Sequence, residues 1–202
     1  MHYEVNNVIM LHTISFMTEY HQSETQVKDD QAHVELAIKD MSNFHWLYEK
    51  YYEDILKYVY QRVNTKDEAV DITAQVFLSA MVNLKKYSFR GLPFSSWLYR
   101  IAMNELLMLF RKNKTKRYIN IDDTGLHNIA AELKNDTDEH KQKTLITALS
   151  KLTTDDYELI QLRFFEQRSF AEAAEILGIT ENNAKVKTYR IIDKLKQMMV
   201  KN

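Results

Sequence analysis

The chain has 202 residues, 45% of them hydrophobic and 27% charged, with a formal net charge of -1. That length and apolar content exclude a wholly disordered chain and allow one or two domains, each with its own core. Three glycines (Gly91, Gly125, Gly178) and one proline (Pro93) are too few for the tight turns of a β-sandwich or barrel, so an all-α fold is expected.

In chain order, residues 1–33 read as an acidic extension. Residues 1–40 carry 2 basic and 7 acidic side chains, and the polar stretch His21 to Asp30 has no clear periodicity. A short helix covering another surface is the most structure expected there. From Phe44 the helical period is plain: Phe44, Leu47, Tyr48, Tyr51, Ile55, Tyr58 and Val59 fall on one stripe. Thr65 caps a second helix over about 66–86, with Glu68 three residues on completing a capping box. That helix turns Ala69, Thr73, Val76, Phe77, Ala80 and Leu84 to a core. Its opposite side carries Asp71, Ala74, Gln75, Leu78 and Val82, which is apolar for a solvated face. A docking surface and a helix covered on both sides by its own domain explain this equally well.

A break at 87–96 is followed by a helix from Ser95 or Ser96 to about Arg111. Arg111 to Arg117 then places five basic residues in seven, part of which is ordinary helix C-terminal chemistry. Residues 41–118 carry 13 basic and 7 acidic side chains, whereas 119–143 carry 3 and 6. The latter read as an acidic linker with one or two helical turns at most, around Ile129 to Leu133. A second domain over 144–202 is expected to hold helices at about 144–151, 154–166, 169–177 and 181–199. A basic module between acidic stretches points to a polyanionic partner, because a polyanion meets local charge rather than the average.

Two constellations carry chemistry. At 85–117, nine basic residues face a single acid, Glu105, with Tyr87, Phe89, Phe94, Trp97 and Tyr99 interleaved. Positive charge follows a phosphate backbone, and aromatic faces hold unstacked bases. For Trp97, spaced four from Ile101, a place in the core is the better reading; for the loop Phe89 to Phe94, binding is at least its equal. The second constellation, Ser169 to Arg190, has helix-turn-helix spacing. Ser169 and Glu172 make a capping box, Ala173 and Ala174 permit close packing, and Gly178 supplies the left-handed turn. Thr180 caps the next helix, which leaves Asn182, Asn183, Lys185, Lys187 and Arg190 near its start, where base edges are read. A plain helical pair with a solvated basic face is the alternative reading of this segment.

The order of basic-aromatic helical domain, acidic linker and helix-turn-helix resembles bacterial sigma factors of the extracytoplasmic-function group, over about residues 34–200. Asp71-Ile-Thr-Ala-Gln-Val-Phe77 is similar to the family segment that docks on RNA polymerase. Phe89-Arg-Gly91 and Ser96-Trp-Leu-Tyr-Arg-Ile-Ala-Met-Asn104 resemble the loop and helix that open and read the minus-ten element. Leu149-Ser-Lys-Leu152 and Leu162-Arg163 precede a helix-turn-helix similar to the one that reads the minus-thirty-five element. The chain departs from the family at Ala74-Gln75, where Gln-Glu is usual, and at Asn182-Asn183-Ala184, where Gly-Thr-Val is usual.

The resemblance implies a region 2 type helical bundle at 34–118, linked to a region 4 type helix-turn-helix domain at 144–202. It implies core polymerase contacts at Asp71, Ala74, Gln75 and Leu78. Minus-ten contacts are implied at Phe89, Arg90, Trp97, Arg100, Asn104, Arg111 and Lys112. Minus-thirty-five contacts are implied at Asn182, Asn183, Lys185, Val186, Lys187, Tyr189 and Arg190. The implied partners are core RNA polymerase, promoter DNA and an anti-sigma factor, and the free protein is expected to be a monomer. The acidic linker is charged like single-stranded nucleic acid and, as in the family, is expected to thread toward the RNA exit path.

An independent helix-turn-helix regulator is the first rival, although it leaves the 85–117 constellation idle and shows no dimer seam. A helical scaffold is the second. An enzyme is not expected: there is no Gly-rich phosphate loop and no paired His at metal spacing, and no cofactor or metal is implied. The absence of cysteine excludes disulfides and thiol catalysis and suits a reducing compartment. No Lys or Arg precedes Lys28, unlike a secretory leader, and the apolar run Leu106 to Phe110 is far short of a membrane span. A cytoplasmic protein without membrane insertion is expected.

Overall fold

The computed structural model describes residues 24–113, 123–133 and 139–200. Most of the expected N-terminal extension, Lys114, Lys116 and Arg117 of the basic run, and part of the acidic linker lie outside them. Every regular element among the described residues is helical, as the scarcity of turn-formers requires. The first half holds α1 (Glu24–Lys39), α2 (Phe44–Tyr60), α3 (Lys66–Asn83) and α4 (Phe94–Asn113), with short 3₁₀ turns at Met41–Asn43 and Leu84–Lys86. The second holds α5 (Asp123–Glu132), α6 (Glu139–Ser150), α7 (Thr154–Ile160), α8 (Phe170–Leu177) and α9 (Glu181–Val200); α7 runs on into a wide π turn at Gln161–Phe165.

The first half is built on period-3.6 stripes. Phe44, Leu47, Tyr51, Ile55, Tyr58 and Val59 of α2 are buried against Ala69, Thr73, Val76, Phe77 and Ala80 of α3. Burying each large apolar side chain contributes roughly 1.5–3 kcal/mol. Tyr48 departs from the expected stripe: it is 40% exposed and lies edge-on to Phe77 with ring centroids 4.8 Å apart. Thr65 caps α3 as expected, its Oγ1 accepting from Glu68 N at 3.2 Å. The reciprocal half of the box differs, since the Glu68 carboxylate accepts from Asn64 N rather than from Thr65.

The N-terminal segment corrects the sequence reading. Where at most a short covering helix was expected and the extension was ended at 33, α1 is a 16-residue helix that runs unbroken to Lys39 and buries Asp30, Val34 and Ala37. The Asp30 carboxylate accepts from Lys50 Nζ at 2.5 Å, from the Tyr51 hydroxyl and from Phe94 N at 3.3 Å. Asp30 therefore satisfies the first N–H of α4, a group with no carbonyl partner in its own helix. Ser95 and Ser96 are not caps: α4 starts one residue earlier, and both serines are buried in its first turn.

The linker is also more ordered than its acids suggest. Leu126, Ile129, Ala130 and Leu133 are buried, and α5 packs on the π turn, with Asn128 Nδ2 donating to Phe164 O at 2.8 Å. The approach is so close that a Cβ on Gly125 would fall 1.9 Å from the Phe165 ring. The expected boundary at 143 falls inside α6.

The two halves meet along a seam whose centre is polar. Glu158 of α7 is 5% exposed and reaches the wholly buried Arg62, in the turn just after α2. Its Oε2 accepts from Arg62 Nη2 at 3.1 Å and from the Tyr58 hydroxyl at 3.2 Å. Gln161 Nε2 donates to Gln61 Oε1 at 3.0 Å, and the Tyr99 hydroxyl donates to Glu166 Oε2 at 3.1 Å. Arg168 lies over the Tyr99 ring and donates to Ser95 Oγ at 3.1 Å. Burial raises the Glu166 carboxyl above the usual carboxylate range.

Candidate polymerase and nucleic-acid interfaces

The outer stripe of α3 settles the question its composition raised. Asp71, Ala74, Gln75 and Leu78 are all exposed, Leu78 by 53% and Val82 by 72%. The domain does not cover this side of its own helix. Only the edge is tied down, where Ser79 Oγ accepts from Gln75 Nε2 at 3.3 Å and donates to Glu105 Oε1 at 3.0 Å. An apolar stripe with an acid at its N-terminal end, left open on a helix rigid at its back, is a surface suited to a helical partner.

On α4, Trp97, Arg100, Asn104 and Arg111 recur at helical spacing on one face, and Lys112 lies exposed beside them. Trp97 takes the core-side role expected of it, packing on Tyr87 and Phe94 at ring-centroid distances of 5.2 and 5.4 Å. The loop before α4 behaves differently. Phe89 is 39% exposed, and Gly91 adopts a left-handed φ of 75° with open space where a Cβ would be. The loop thus offers an aromatic face and a cation, Arg90, beside a close turn. Arg90 and Arg100 are both engaged by one acid from the second half, Glu175 of α8: Arg90 Nη1 lies 3.1 Å from its Oε2 and Arg100 Nη1 3.3 Å from its Oε1.

The helix-turn-helix forms as its spacing requires. Ser169 Oγ accepts from Glu172 N at 3.0 Å, while the Glu172 carboxylate accepts from Ser169 N at 2.9 Å. Gly178 ends α8 at φ 67°, and Ile179 N donates back to Ala174 O, a closure that a left-handed residue makes possible. Thr180 Oγ1 accepts from Asn183 N at 3.2 Å and so caps α9. Ala184, Thr188, Ile191 and Leu195 point inward. Asn182, Asn183, Lys185, Val186, Tyr189 and Arg190 are exposed. Lys187 is the exception among the expected readers, since its Nζ is drawn to Asp156 of α7 at 3.4 Å.

The sequence reading missed Asp30, the Arg62–Glu158 pair and Glu175. The first two had one signal each: a charged residue standing on an otherwise apolar stripe, Asp30 with Val34 and Ala37, and Arg62 with Tyr58 and Val59.

A helical domain with an exposed basic-aromatic face, followed by a helix-turn-helix with an outward recognition helix, defines a modular DNA-binding protein. The sigma-70 region 2 family model matches residues 47–116, and the sigma-70 region 4 model matches residues 142–195. YlaC, an RNA polymerase sigma factor of Bacillus subtilis, is 30% identical over 77% of this chain and 91% of its own length. BldN, an ECF RNA polymerase sigma factor of Streptomyces coelicolor, is 27% identical over 76% of this chain, which spans 59% of the length of BldN. The solved structure of CnrH in complex with the cytosolic domain of CnrY has the same fold, with a TM-score of 0.57 at 21% identity over 86% of this chain and 98% of CnrH. The chain belongs to the sigma-70 family of RNA polymerase sigma factors, in the extracytoplasmic-function group. No described helix is long and apolar enough to cross a membrane.

Proposed function

We propose that this chain binds core RNA polymerase through Asp71, Ala74, Gln75 and Leu78 and directs it to specific promoters. On this reading residues 34–118 form the polymerase- and minus-ten-binding domain and residues 144–202 the minus-thirty-five-binding domain. The second domain docks α9 in upstream duplex DNA through Asn182, Asn183, Lys185, Val186, Tyr189 and Arg190, with Lys187 joining them once it leaves Asp156. Phe89, Arg90, Arg100, Asn104, Arg111 and Lys112 hold the melted downstream strand, with Trp97 bracing the loop. Capturing an unstacked base offsets an unstacking cost of about a few kcal/mol through stacking and edge hydrogen bonds. The protein acts in the cytoplasm by binding rather than by catalysis, and a restraining protein is a further partner, as CnrY is found with CnrH.

The observation that carries this reading is the coexistence, on one chain, of an open apolar stripe on α3 and an outward recognition helix. A stand-alone regulator needs only the second. The test is co-elution of the purified chain with core polymerase from its own source, followed by transcription from a sheared genomic library. Binding with new discrete start sites supports the proposal; specific duplex binding without polymerase binding replaces it with an independent regulator.

Within that framework, Arg190→Ala is expected to lower promoter binding by about 1–3 kcal/mol and to relax upstream specificity. Binding of wild type and variant to intact and scrambled upstream DNA, at matched salt, measures both effects.

A further inference from the structure

We propose that α8 masks the melted-strand surface of this chain in cis, with the Glu175 carboxylate standing on Arg90 and Arg100 where a strand phosphate would lie. The free chain is then closed to single-stranded DNA while its duplex-reading helix stays open. The inference rests on the reading that Arg90 and Arg100 meet the melted strand.

Three observations support it. Glu175 is the acid shared by both arginines, at 3.1 and 3.3 Å, and two cations converging on one carboxylate is also the arrangement that binds a phosphate. The helix-turn-helix corner itself lies over the same spot, since a Cβ on Gly178 would come within 3.9 Å of Arg100 Nη2. The mask is one-sided: Asn182, Val186, Tyr189 and Arg190 of α9 remain exposed in the closed arrangement.

The seam is built to open. A permanent junction between two halves is predominantly apolar at its centre, whereas one that must separate keeps groups that water accepts. Here the centre holds Arg62 and Glu158, with Gln61 against Gln161. Glu166 Oε1, Gln161 Oε1 and Arg168 Nε are buried there without a hydrogen-bond partner among the described residues. Each gains one from water when the halves part, which lowers the cost of opening.

The test uses the full chain and two labelled probes, a random-sequence single strand and a random-sequence duplex. Glu175→Gln removes the two ion pairs that hold α8 over Arg90 and Arg100 without touching the Arg62–Glu158 centre of the seam; two partly exposed ion pairs predict about three- to tenfold tighter single-strand binding. Glu158→Gln strands the buried Arg62 charge in the closed state and favours the open one, predicting about tenfold or more. Duplex binding is expected to stay within about twofold for both, since Asn182, Val186, Tyr189 and Arg190 are already exposed in the closed arrangement. Circular dichroism checks that each variant folds, and Glu175→Gln alters only a partly exposed side chain.

Single-strand affinity equal to wild type in both variants, or a rise in duplex binding of the same size, overturns the mask. The underlying reading is tested apart from it, by transcription with the Arg90→Ala, Arg100→Ala double variant on polymerase. Impaired transcription with no unmasking in either the Glu175→Gln or the Glu158→Gln chain sinks the mask alone. Unchanged transcription sinks the assignment of the melted-strand surface, and the mask with it.

Discussion

Asp30→Ala is expected to lower the unfolding free energy of the full chain by roughly 2–4 kcal/mol, read from denaturant midpoints at unchanged slope. The carboxylate is 1% exposed and accepts from three donors on two other helices. Lys50 is partly exposed, so water takes over its ammonium when the acid is lost. The Tyr51 hydroxyl and Phe94 N are buried, and leaving each unsatisfied costs about 1–3 kcal/mol. Asp30→Asn keeps an acceptor oxygen and should recover part of the loss. A drop below about 1 kcal/mol for the alanine variant would mean that α1 is dispensable to α4.

Leu78→Arg should remove co-elution with core polymerase, weakening binding at least about a hundredfold, while leaving the melting temperature within about 2 °C of wild type. The separation of effects follows from position. Leu78 is 53% exposed, so the domain loses little when it changes, whereas Ala80, two residues on, is fully buried. A charge at Leu78, inside the exposed Asp71–Val82 stripe, has to be desolvated when a partner covers it, and that penalty falls only on the complex. Asp71→Arg on the same stripe is expected to act in the same direction through charge. Retained co-elution for both variants would take the polymerase contact off α3.

Much of the fold could be read from the sequence because its signals are local. The stripes of α2 and α3 declare themselves by spacing within about twenty residues. The Ser169–Glu172 box and Gly178 fix the helix-turn-helix by chemistry within ten. What escaped depends on partners far along the chain: Asp30 needs Lys50, Tyr51 and Phe94, and Arg62 needs Glu158 from the other half. A charged residue on an apolar stripe signals that such a partner exists without saying which residue it is. The linker helix was read too short for another reason. Leu126, Ile129, Ala130 and Leu133 carry full helical spacing, but the surrounding acids dominate the local composition, and only the docking of α5 on Phe164 and Phe165 shows that the spacing wins. Of the candidate readers, exposure on α3, α4 and α9 followed from periodicity. The engagement of Arg90 and Arg100 by Glu175, and of Lys187 by Asp156, did not, because both acids come from other helices.

The docking of α5 on the second half has a mechanical meaning. While α5 stays seated on the π turn, nine residues, 114–122, separate it from α4, and covalent geometry bounds the distance they can bridge at about 30–32 Å. With α5 unseated, the next helix docked on the second half is α6, which 25 residues, 114–138, separate from α4, and the same bound rises to about 82–90 Å. The close fit of Gly125 under the Phe165 ring thus bears on how far apart the two surfaces can stand, although it touches neither of them.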